Sequence, residues 1–255
     1  MPRARSVAVV PGFIAAALAF APPSARPQAA ATSFARVSVK PPPVPNDPGL
    51  AAFRQHLAVV ARDRVFDELA RSVVPQGFLW DRDFADSFDP KKTGVENLAA
   101  AIRLEQGAGL GWQMLADFAA DPTATGIPAA PGVLCAPGRP SFDQEEFDRL
   151  IDATYSIAKD WVFPRVGGLE LHAAPRPTSA VLEKLGSYFL HIGRPDMAAG
   201  TTDPLRTAWV RIMTPSDSLG YAAPGTLMSL SAPQLCYVKD VIGHWRITGF
   251  VGAGS

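Results

Sequence analysis

Proline placement sets where this chain can be helical. Its 255 residues include 25 prolines, and each removes an amide donor and crowds the preceding turn, so a helix stops at or before it. Ten of the prolines lie in the first 48 residues. Pro41-Pro42-Pro43-Val44-Pro45 and Pro48 favour extended polyproline geometry, which marks residues 32–48 as a proline-rich linker. The helical windows that remain are residues 50–73, ending before Pro75, 96–118 with a glycine break, ending before Pro122, and 141–161, ending before Pro164.

Apolar spacing fills those windows. Leu50, Phe53, Leu57, Val60 and Leu69 recur at helical intervals, giving one long helix or two joined ones. Leu98, Ala101 and Ile102 form a second stripe, and Trp112, Leu115 and Phe118 a third beyond Gly107, Gly109 and Gly111. Those glycines follow no strand and precede no lysine, so they do not form a phosphate loop. In the last window Ser141 is placed as a cap, with Gln144 reciprocal to it and Phe147, Leu150, Ile151 and Ile157 leading to Trp161. Between the first two windows, Asp81, Asp83, Asp86 and Asp89 fail the calcium-loop template, because Lys92 stands where a closing glutamate is needed.

Arg3 and Arg5 precede an uncharged apolar run, Val7 to Ala21, and small residues follow up to Ala29-Ala30-Ala31. This is the order of a secretory signal peptide over residues 1–31. The run is too short for the roughly 20 residues of a membrane span, and no later stretch is apolar enough to be transmembrane. The expected product is periplasmic or secreted. Cys135 and Cys236 are the two cysteines. In an oxidising compartment they are expected to pair, tying the middle of the chain to its C-terminal part.

Beyond Gly167-Gly168 the period changes to that of short strands: Leu169–His172, Ala180–Leu185, Tyr188–Ile192, Ala208–Met213, Gly220–Ala222, Leu227–Leu230, Gln234–Val238 and Gly243–Phe250. The expected fold class is therefore α+β, with a helical domain at 49–165 and a small β-barrel at 166–255. The pieces Leu169-Glu170-Leu171, Ala174-Pro175, Val181 to Gly186, Trp209-Val210-Arg211-Ile212 and Gly220-Tyr221-Ala222, with Leu227, resemble a bacterial extracytoplasmic SH3-like domain. The sequence departs from that pattern in having His172 where an Arg-x-x-Pro turn ending at Pro175 needs its arginine, and in having Gly220-Tyr221 for Gly-Trp. With Gly132 to Pro137 and Leu235 to Asp240, the whole mature chain is similar to a group of exported bacterial proteins of uncharacterised activity. The resemblance implies binding, to cell-wall peptide or to an envelope protein. The groove residues it implies are Tyr188, Trp209, Tyr221 and Trp245, of which Trp209 and Trp245 also fit as core anchors beside their Val and Ile neighbours.

Enzymatic signatures are weaker. The histidines are His56, His172, His191 and His244, with no paired-histidine metal motif and no nucleophile elbow. The alternative to a binding or structural module is a periplasmic hydrolase with a site between the two domains, using His172 or His191 near an acid, or a zinc shared by these two and Asp196. Acid pairs drawn from Asp81, Asp83, Glu96 or Glu145 have no separation fixed by sequence. No cofactor is expected. The 24 basic and 24 acidic residues cancel, which argues against nucleic acid as a partner. Without residues 1–31 the balance is 24 acids to 21 bases, and the excess acid lies in the helical part.

Overall fold

The computed structural model describes residues 33–82, 85–105, 109–128, 130–192 and 204–253. Residues 1–31, read from sequence as a signal peptide, and Asp83 and Asp196 lie outside them. Elements run in the order β1 (Val39–Lys40), α1 (Pro48–Asp63), α2 (Phe66–Ser72), β2 (Leu79–Asp81), α3 (Gly94–Ala101), α4 (Leu110–Ala120), β3 (Thr125–Ile127), β4 (Ala130–Ala136), β5 (Ser141–Phe142), α5 (Gln144–Thr154) and β6 (Trp161–Pro164). They continue through β7 (Leu169–His172), β8 (Val181–Leu185), β9 (Leu190–Ile192), α6 (Pro204–Thr207), β10 (Val210–Met213), β11 (Leu219–Ala222), β12 (Leu227–Ser229), β13 (Gln234–Lys239) and β14 (Trp245–Val251). The fold is α+β, a helical region α1–α4 followed by a strand-rich region. Among the described residues no helix is long and apolar enough to cross a membrane.

Local chemistry explains the helix ends. Asp47 accepts the Leu50 amide at 2.9 Å and Pro48 opens α1. Arg64, at φ 56°, closes that helix in the left-handed region, so the first window is two joined helices. Thr93 and Glu96 cap α3 reciprocally. In the third window the cap is Asp143, which accepts the Glu146 amide at 2.9 Å. Ser141–Phe142 pairs instead with Val39–Lys40 as a two-stranded ribbon. That helix ends at Tyr155, φ 50°, short of Trp161. Trp161 opens β6, whose residues are buried on both faces.

Two larger sheets are present, with orders β2-β14-β13-β4-β3 and β12-β6-β9-β10-β11-β7-β8. Helices α1–α4 cover the first: Leu57, Leu69, Leu98 and Leu115 share a core with Tyr237, Ile247 and Phe250. Thus the hairpin β13–β14, grouped by sequence with the C-terminal β domain, is the floor on which the helices rest. The second sheet surrounds a core of its own residues, including Val162, Leu171, Leu185, Val210, Ile212 and Leu227. Trp161 and Phe163 point the other way, into a third core with Val37, Val39, Phe147, Leu150 and Phe189. Val37 and Val39, within the segment read as linker, are therefore core residues. Cys135 and Cys236 face each other in register on β4 and β13 and form a disulfide, both fully buried.

Candidate functional site

Strand parity places the polar aromatic residues. Leu171, Val210, Ile212 and Ala222 turn into the core of the seven-stranded sheet, so their neighbours His172, Arg211 and Tyr221 stand on its outer face. Cross-strand register aligns these three: Arg211 opposes Tyr221, and Tyr221 opposes His172. Trp209, one residue before β10, sets its ring edge-on to the His172 imidazole, with centroids 5.2 Å apart at 84°. On the same face Glu170 lies opposite Lys184, 3.9 Å from the Lys184 amine and 3.9 Å from His172 Nε2. The result is a shallow aromatic face with one exposed guanidinium, Arg211, half-exposed Trp209 and Tyr221, and His172 buried between them.

The other two expected groove residues lie elsewhere. Tyr188 is buried, its ring under the Arg36 guanidinium at 4.7 Å and its hydroxyl donating to Glu183 at 3.3 Å. Burial, then the charge of Glu183, pushes its phenol upward. Trp245 belongs to the five-stranded sheet. Its indole N–H donates to Asp47 at 3.3 Å, and the Lys239 amine lies 5.2 Å from its ring. Both aromatics act as anchors, joining the segment before α1 to the strands.

His172 and His191 are not neighbours. β7 and β9 are separated by β10 and β11, about 14 Å at the usual strand spacing. His191 packs edge-on to Trp161 at 5.0 Å, and burial depresses its pKa below the ordinary 6.5, partly offset by Asp160. Ser179 Oγ lies 3.4 Å from His172 Nδ1 but donates to the Ala174 carbonyl at 2.9 Å, which closes the turn between β7 and β8. Among the described residues no group of three or more His, Cys, Asp or Glu is placed to hold a metal ion.

His172 and Arg211 join the aromatic face although neither stands out in the sequence as a groove residue. The parity of the strands around Leu171 and Val210 is the signal that places them. A cavity of about 480 Å³, with no mark in the sequence, lies where α4 and α6 approach β12. Met114 and Phe118 line one side and Leu205, Val210 and Leu227 another. None of the four expected groove residues reaches it.

No protein-family model, curated protein or solved structure matches this chain.

Proposed function

We propose that this protein is an extracytoplasmic binding module without enzymatic activity, exported by its N-terminal segment and acting on cell-wall peptide or an envelope protein. The observation that carries the reading is the outer face of the seven-stranded sheet. Trp209 and Tyr221 are presented there together, beside the exposed Arg211. Aromatic rings offer apolar area with little entropy to lose, and a guanidinium pairs with peptide carboxylates. The disulfide supports an oxidising compartment, because such bonds seldom persist in a reducing cytosol. The bacterial SH3-like reading of the C-terminal part belongs to this proposal. It is supported by the antiparallel pairs β7–β8 and β10–β11, which fall within the resembling run. The sheet order nevertheless leaves β8 and β12 as separate edges.

A hydrolase is the second reading, favoured by the grouping of Ser179, His172 and Glu170. Binding is preferred because Ser179 Oγ is committed to a backbone carbonyl.

Co-sedimentation tests the proposal. The mature protein is expected to pellet with purified peptidoglycan or envelope fractions, and Trp209→Ala and Tyr221→Ala are each expected to weaken this roughly tenfold or more, as central aromatic contacts do. Failure to pellet with either fraction, or pelleting that both variants leave unchanged, overturns it.

A further inference from the structure

We infer, on the binding role proposed above for the outer face of the seven-stranded sheet, that the open half of this face docks an acidic amphipathic helix of a partner protein. The face has two halves. At the β12-β6-β9 end, Trp161, Phe163 and Met228 are buried against Phe147 and Leu150 of α5. Register carries the same face onward: Trp161 opposes His191, His191 opposes Met213, and Met213 opposes Leu219. There the apolar side chains come into the open. Leu219, Val181 and Leu182 are 43, 44 and 51% exposed, and Met213, Trp209 and Tyr221 are half-exposed.

The open half is the size of one helix. From β10 to β8 it spans three strand intervals, about 14 Å, and a helix with its side chains is about 10–12 Å across. A sheet buries an apolar face under helices or under a second sheet, and α5 shows which of these this face takes. The free edge disfavours an added strand. β8 pairs only with β7, and its register shifts between Leu171 and His172, leaving Leu182 as an extra residue. A bulge bends an edge strand and interrupts the row of groups that an extended segment pairs with. The same bulge sets two exposed aliphatic side chains, Val181 and Leu182, beside His172.

Charge gives the helix its sign. Glu170 and Lys184 oppose each other and lie 3.9 Å apart. Arg211 is exposed and has no ion pair or hydrogen bond from its side chain among the described residues. Its positive charge stands opposite Tyr221, amid apolar side chains, where a carboxylate beside the partner's apolar stripe answers it. α5 has this composition itself. Phe147, Leu150 and Ile151 form its stripe, and Glu145, Glu146, Asp148 and Asp152 outweigh Arg149.

The test titrates the full mature protein with fluorescein-labelled, helix-stapled peptides of about four turns, read by anisotropy. Each places leucine at i, i+3, i+4 and i+7, with glutamate, lysine or glutamine elsewhere. A further peptide alternates leucine and glutamate in the strand pattern. Saturable binding is expected, tightest for the glutamate helix. Arg211→Glu is expected to weaken that helix about two- to fivefold and to reverse the preference toward lysine. The double variant Leu182→Ser/Leu219→Ser, at exposed positions and checked for folding by near-ultraviolet circular dichroism, is expected to weaken all three helices roughly tenfold or more. The inference is overturned by absence of helix binding, by tighter binding of the alternating peptide, or by an order of helices that Arg211→Glu leaves unchanged. Displacement of the helix by soluble peptidoglycan fragments, or a dimer in solution that Arg211→Glu dissociates, also overturns it. Pelleting with purified peptidoglycan that Trp209→Ala weakens, without helix binding, removes the helix and leaves the proposed function standing. Absence of both pelleting and helix binding removes both.

Discussion

Tyr237 carries its phenol into the core next to Arg54, whose guanidinium lies 5.3 Å from the ring. Arg54 gives two bonds to the carbonyls of Pro122 and Thr123, at 2.9 and 3.1 Å, and so pins the segment leading to β3. Arg54 Nε and Tyr237 Oη have no hydrogen-bond partner among the described residues. A buried hydroxyl without a well-formed hydrogen bond costs stability, and burial drives its pKa upward against the opposing pull of the neighbouring Arg54. Tyr237→Phe is therefore expected to be neutral or to stabilise the protein by up to about 1 kcal/mol, read from chemical denaturation. Asp47 is the opposite case. Bonded by Lys239 at 2.8 Å, by the Leu50 amide and by the Trp245 indole, its carboxyl is lowered to about 2. The folded-state value is below the unfolded one, so the carboxylate's contribution is complete above about pH 4 and is lost as pH falls through about 2. Asp47→Asn keeps a capping oxygen and removes the charge. Its denaturation midpoint is expected to lie below wild type at pH 7 and to converge with it near pH 2.

At the scale of elements, the disulfide joins β4 to β13 across a separation of 101 residues. Closing so long a loop restricts the unfolded chain, and the double variant Cys135→Ala/Cys236→Ala is expected to lose about 2–4 kcal/mol. A loss below 1 kcal/mol would show that strand pairing alone secures this register. Most strands after Gly167 were legible, since Leu169–His172, Val210–Met213 and Trp245–Val251 alternate or carry β-formers between turn residues. β6 was not: Trp161 to Pro164 continues the apolar stripe of α5, and only packing on both faces makes it a strand. Ser141 and Asp143 are both competent caps by sequence. Pairing with β1 claims Ser141, and Asp143 is left to cap.

For the molecule as a whole, the helical core and the cysteine pair were readable from spacing and number, but the partner of each face was not. Tyr237 and Ile247 look like residues of any strand, and nothing local directs them beneath helices made more than 110 positions earlier. The candidate site was half legible for the same reason. Trp209 and Tyr221 stand out as aromatics in strands, whereas the clustering of His172 and Arg211 with them depends on a register set across three strands. That long-range closure has a consequence for how the protein is made. Synthesis and any passage through a membrane pore proceed from the N-terminus, so α1–α4 emerge well before β13 and β14. Leu57, Leu69, Leu98 and Leu115 then have no floor to settle on until residues 234–251 arrive. The helical region therefore lacks its sheet floor through most of synthesis, a state that calls for protection from aggregation.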